Sequence, residues 1–174
     1  MTAVPKRRIK KTLDFILQNH PPPAKVLDLG TMNPLSSKMI QYGYHVENTM
    51  GEDLDIEYKH LSLKQYDLIT AFEILEHLVS PYNLLQSFNK GQRIAATVPI
   101  NVWFSKAHWS KTDPWDRHFH EFEPRQFDWL LEKSGFKIIA KQTWKIPAAG
   151  INGVRPLLRF LTPTFYAVYA EKTV

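Results

Sequence analysis

The chain has 174 residues, a formal net charge of +5 and no cysteine. That length suits one domain with its own core, and the near-average share of apolar and charged residues excludes a fibrous or wholly disordered chain. The lack of cysteine excludes disulfides and thiolate metal sites and fits the cytoplasmic location expected here, while no apolar run approaches the roughly 18 residues of a membrane span.

In chain order, Ile9 to Asn19 carries apolar residues at Ile9, Leu13, Ile16 and Leu17, which predicts a helix stopped by His20 and Pro21 to Pro23. The basic run before it (Lys6, Arg7, Arg8, Lys10, Lys11) reads as a solvated helix end. Lys25 to Leu29 is a strand apolar on both faces that stops at Gly30. Asn33-Pro34 is a cap followed by proline, opening a helix over Pro34–Tyr42 that Gly43 ends. Tyr44 to Thr49 reads as a second strand. The stretch from 50 to 64 has room for a loop and a very short strand, but hardly for a crossover helix.

Strand character returns at Asp67–Ala71, with a helical turn over Glu73–Val79. Ser80-Pro81 repeats the cap-plus-proline signature and predicts a helix to about Asn89. Arg93–Val98 is a further two-sided strand, and residues 99–122 are irregular and rich in Trp, His and Asp. Glu123-Pro124 opens a helix that Gly135 closes, and strands are predicted at Phe136–Ile146 and Phe165–Glu171, with 148–162 inserted between them. The alternation predicts one α/β domain over 1–174: a helix and Pro-rich connector to residue 23, then a mostly parallel sheet with helices on both faces.

In such sheets ligands bind beyond the carboxyl ends of the strands, where strand order reverses. Asp28 and Gly30 stand at such an end. The phosphate-binding pattern G-x-G-x-x-G is absent, because Thr31, Met32, Asn33 and Pro34 follow Gly30. A cationic ligand without phosphate suits Asp28 better. S-adenosyl-L-methionine, with a sulfonium and an ammonium, has both properties.

The motifs VLDLG (26–30), YDLITAFEILEHLVSPYNLL (66–85), HFHEFEPRQFDWLLEKSGFKII (118–139) and FYAVYAEK (165–172) together resemble the class I S-adenosylmethionine-dependent methyltransferases. The likeness is to the broad group typified by ubiquinone- and menaquinone-biosynthesis enzymes. It implies a three-layer Rossmann-like fold with a seven-stranded sheet of order 3-2-1-4-5-7-6, strand 7 antiparallel. It also implies that Asp28, Gly30, Thr31 and Met32 border the methionine end of the cofactor. Ala71, Phe72 and Glu73 would line its floor, with His77 and Leu78 close by. The acid expected after strand two is missing, since that alignment puts Met50 there; Asp53, or else Asp55, would take the ribose.

Other readings stay open at several positions. Asp28 could cap the following turn, Glu73, Glu76 and His77 could be the solvated face of a helix, and Phe72 suits a core position. The group His108, Asp113, Asp116, His118, His120 and Glu121 matches no standard ligand spacing, so no metal is expected from it. His118 and His120 are the candidate general bases, because imidazole titrates near neutral pH. Trp103, Trp109 and Trp115 either wall an acceptor pocket or close the top of the core. The expected activity is methyl transfer to a small-molecule acceptor. The alternative is a methyltransferase-like binding module acting through a protein partner. Nucleic acid is not favoured: Ala71-Phe72-Glu73-Ile74 replaces the Asn/Asp-Pro-Pro-aromatic tetrapeptide of base amino-group methylation.

Overall fold

A computed structural model of the chain describes residues 6–104, 106–145, 158 and 161–174. Helix α1 spans Lys6–Asn19, strand β1 Lys25–Asp28, helix α2 Pro34–Gln41 and strand β2 His45–Asn48. A 3-10 turn at Lys59–Leu63 precedes β3, Leu68–Phe72. Then come α3 (Pro81–Ser87), β4 (Arg93–Pro99), α4 (Pro124–Lys133), β5 (Phe136–Trp144) and β6 (Phe165–Lys172).

The strands form one sheet in the order β2-β1-β3-β4-β6-β5. β2, β1, β3 and β4 pair in parallel, while β6 runs antiparallel to both β4 and β5. This is the expected Rossmann-like methyltransferase architecture with one correction. Among the described residues there are six strands, and the seventh implied by the family likeness, outside β2, does not form. The chain crosses from β2 to β3 over residues 49–67 through loop and one 3-10 turn, whereas a further parallel strand in between would need two crossovers of roughly a dozen residues each. The inserted segment expected at 148–162 lies almost wholly outside the described residues.

Side chains alternate across the sheet and so build two cores. Leu27, Ile69, Ala71, Ile94, Ala96 and Val168 face the side covered by the 3-10 turn, α3 and α4. Val26, Leu68, Ala95 and Tyr169 face α1 and α2, where Leu13, Ile16 and Met39 are buried. Local signals explain the helix ends. Asn33 Oδ1 accepts from the amides of Leu35 and Ser36, and Ser36 Oγ accepts from the Asn33 amide. Glu123 and Gln126 make the same reciprocal cap for α4. Ser80, by contrast, does not cap α3 with its side chain. The Asp55 carboxylate instead accepts from the Val79 and Ser80 amides at 2.8 and 2.7 Å.

The carboxyl ends of α3 and α4 meet one cation. Lys172, only 4% exposed, donates to the Leu85, Gln86 and Ser134 carbonyls and lies over the Phe136 ring. Helix carbonyls left without partners are satisfied there by positive charge. No helix among the described residues is long and apolar enough to cross a membrane.

Candidate functional site

Strand order reverses between β1 and β3: the chain moves outward from β1 to β2, then returns to the other side of β1. The carboxyl ends of these two strands therefore flank the crevice where an open α/β sheet takes its ligand. At the β1 end, Gly30 has φ +106°, and a Cβ there would lie 3.2 Å from the Ile74 side chain, so the turn is built for glycine. The Gly30 amide is used on Thr49 Oγ1 at 2.6 Å, leaving no phosphate cradle. Around the turn stand acceptors instead: the Asp28 carboxylate, the Gly30 carbonyl and the buried Asn48 Oδ1, which has no partner.

Asp28 is buried and held from three elements. Its Oδ2 accepts from Ser36 Oγ of α2 at 2.6 Å and Asn48 Nδ2 of β2 at 3.1 Å, and its Oδ1 accepts from Thr70 Oγ1 of β3 at 2.6 Å. Burial pushes its pKa up, opposed by the hydrogen bonds from Ser36, Thr70 and Asn48. The carboxylate braces the crevice as well as bordering it. Thr31 and Met32 beyond it are exposed.

Met50, two residues past β2, is 89% exposed. Asp53 accepts the Asp55 amide at 3.0 Å and so stabilises its own turn, while Asp55 is committed to the α3 start. Glu52, which the sequence reading passed over, lies nearer the end of β2; its carboxylate accepts the Met50 amide at 2.5 Å and stands 3.5 Å from His60.

At the β3 end Ala71 is buried in the core facing α3 and α4, and Phe72 packs on the opposite core. Glu73 adopts φ +58°, a left-handed conformation that costs a non-glycine residue about 1–3 kcal/mol. Its carboxylate accepts from Arg8 Nη1 of α1 at 2.9 Å and from Thr97 Oγ1 of β4 at 2.9 Å, and its amide donates to the Thr97 carbonyl. Burial raises the Glu73 pKa, and Arg8 and then Thr97 oppose the shift. Arg8 thus departs from the solvated basic run: it is partly buried and also lies over the Phe165 ring.

Glu76 is not on a solvated helix face. It is 1% exposed, and neither carboxylate oxygen has a hydrogen-bond partner. Its pKa is driven well up, first by burial and then by the neighbouring Glu73 carboxylate. The 99–122 segment folds back onto this residue, as the Phe119 and His120 amides donate to the Glu76 carbonyl at 2.8 and 3.1 Å. That return places His118 against His77, with ring centroids 4.8 Å apart. His77 Nδ1 donates to the Arg117 carbonyl and His118 Nδ1 meets the Glu121 carboxylate, each at 3.0 Å. Carbonyl and carboxylate oxygens only accept, so each ring in its neutral form carries its lone pair on Nε2. Burial, then His118, lowers the His77 pKa. His120 donates from Nε2 to the Val79 carbonyl at 3.2 Å and stacks on Phe122. Trp103, Trp109 and Trp115 are 85%, 56% and 70% exposed, so they do not close the core.

A separate open groove of about 420 Å³, lined by His20, Tyr66, Asp67, Arg93 and Glu171 among others, lies at the amino ends of β1, β3 and β4. It is at the wrong edge of the sheet for the crevice described above.

The fold and crevice define a class. Residues 3–141 match the family model described as a methyltransferase domain, and the chain belongs to that family. No curated protein matches it in sequence. Among solved structures it is similar to the 1,6-didemethyltoxoflavin-N1-methyltransferase of Burkholderia thailandensis, whose structure holds 1,6-didemethyltoxoflavin and S-adenosylhomocysteine (TM-score 0.63, 14% identity, covering 98% of this chain and 80% of that one). It is also similar to a SAM-dependent methyltransferase from Archaeoglobus fulgidus (TM-score 0.61, 16% identity, 95% and 94% covered). The cyclase SpnF shares the fold as well (TM-score 0.57, 11% identity, 95% and 81% covered).

Proposed function

We propose that the chain binds S-adenosylmethionine at the crevice between β1 and β3 and transfers its methyl group to a small-molecule acceptor. The observation that carries this reading is the acceptor-rich Gly30 turn at the strand-order reversal, in a chain of the methyltransferase family. Such a turn suits a cationic ligand and offers nothing to a pyrophosphate. When bound, the cofactor supplies a sulfonium methyl with a good leaving group, so the protein's task is largely positioning and exclusion of water.

In this reading Asp28, Gly30, Thr31 and Met32 border the methionine end of the ligand, and Met50 lies on its outer side. The acidic pair Glu52 and Asp53 takes the ribose hydroxyls. Ala71, Phe72 and Glu73 form the floor, with His77 beside it. The acceptor enters under the 99–122 segment, where His118 and His120 are the histidines available to remove a proton from a hydroxyl or acidic carbon.

Calorimetric titration with S-adenosylhomocysteine tests the reading. Saturable micromolar binding is expected, weakened roughly tenfold or more, about 1.4 kcal/mol, by Thr31→Trp, which fills the crevice mouth from an exposed position. No binding at millimolar ligand would overturn it and leave the protein-partner alternative.

A further inference from the structure

We infer that Glu76, His77 and His118 form a binding site for a divalent transition-metal ion of the zinc class. One ligand atom from each residue lies within 4.8 Å of the other two, and Glu76 Oε1 is 3.9 Å from His77 Nε2. At the latter separation no hydrogen bond exists between them. Metal–ligand distances of about 2.0–2.2 Å require ligand atoms about 3.3 Å apart in a tetrahedral site, so side-chain rotation of roughly 1 Å closes the set.

Two observations independent of the clustering point to a cation. Glu76 is 1% exposed with both oxygens unpartnered, a costly state that a bound cation relieves. Both imidazoles are also oriented as metal ligands are, with the second ring nitrogen donating to an oxygen: His77 to the Arg117 carbonyl, His118 to Glu121. One carboxylate and two imidazoles suit zinc-like ions better than calcium or magnesium. Three protein ligands leave a tetrahedral position for water or a ligand oxygen, the arrangement of catalytic rather than purely structural zinc sites. His118 is then a metal ligand, which leaves His120 as the histidine for proton removal. The cation site does not depend on the cofactor reading.

The test uses the full chain stripped of metal with a chelator, then titrated with Zn²⁺ by calorimetry and with Co²⁺ by visible absorbance. One saturable site per chain is expected, with Co²⁺ d–d bands of a four- or five-coordinate centre. Glu76→Gln and His118→Ala should each weaken binding roughly tenfold or more, while His45→Ala, at an exposed position on β2, should not. Should Glu76→Gln fail to fold by circular dichroism, His118→Ala at its partly exposed position decides alone. Absence of saturable binding, or binding unmoved by the variants, would overturn the assignment. S-adenosylhomocysteine titration of the same metal-free protein reports separately on the cofactor crevice.

Discussion

Asp28 ends β1 and Glu76 follows the neighbouring β3, with nearly equal burial, 2% and 1% exposed, yet they live in opposite chemical circumstances. Asp28 accepts three side-chain hydrogen bonds from α2, β2 and β3, whereas neither oxygen of Glu76 accepts one. Burial raises both pKa values, but hydrogen bonds pull Asp28 back while the Glu73 carboxylate pushes Glu76 further. The difference teaches that burial alone does not assign a role to a carboxylate. A satisfied one fixes geometry; an unsatisfied one marks a place where the fold awaits a partner.

The comparison can be broken by mutation. Asp28→Ala should cost the most, because Ser36, Asn48 and Thr70 each lose an acceptor in a buried place. Asn48 Nδ2 keeps the Gly30 carbonyl, so two groups are left unmet, and at about 1–3 kcal/mol each the loss should reach at least about 2 kcal/mol in urea unfolding. A loss below about 1 kcal/mol would show that Asp28 is no brace. This variant would also depress cofactor binding by loosening the three elements it joins, so it is a poor probe of the crevice.

Gly30→Ala should follow, at about 1–3 kcal/mol, from positive φ and the contact with Ile74. Thermal denaturation measures it. Arg8→Ala should cost about 1–2 kcal/mol, since it strips a partly buried, charge-assisted bond from Glu73. Binding of S-adenosylhomocysteine should weaken with it if Glu73 forms the crevice floor.

Glu76→Gln should shift stability with the opposite sign, a gain in chelator at pH 7.5, because the amide leaves no charge to bury. The sign follows from linkage. A carboxyl whose folded pKa is raised contributes stability that is present below its ordinary range and is lost as pH rises through the raised value. The native protein should therefore lose stability relative to the variant as pH climbs from 5 to 8. Equal slopes for the two proteins in thermal scans across that range would sink this account of Glu76.

What was legible in the sequence was what neighbours in the chain decide. Asn33-Pro34 and Glu123-Pro124 start helices because capping is settled within four residues. Strand identity was legible because apolar residues repeat locally. The stretch from 50 to 64 lacked space for a crossover helix but not for a very short strand, so the residues alone left the family's seventh strand open, and the described sheet has six. The partners of Asp28 come from three elements, and Arg8 reaches Glu73 from the far end of the chain, which no spacing rule reveals. Glu76 and His77 belong to one segment and His118 to another, so no spacing within the 99–122 cluster reveals that the three come together. The unpaired buried carboxylate became visible only with burial known.

The position of β6 has a consequence for how the molecule forms. β5 is complete before residue 145, yet its strand partner in the described sheet is β6, and β6 also covers the edge of β4. Until residues 165–172 emerge, β4 and β5 each present an open hydrogen-bonding edge, one of them on an almost wholly apolar strand. Assembly must therefore wait for a contact between distant parts of the chain, which slows folding and leaves the nascent chain exposed to intermolecular strand pairing. The segment that does this work is also the one whose Lys172 locks two helix ends, so a single late event closes the sheet and fastens the layer above it.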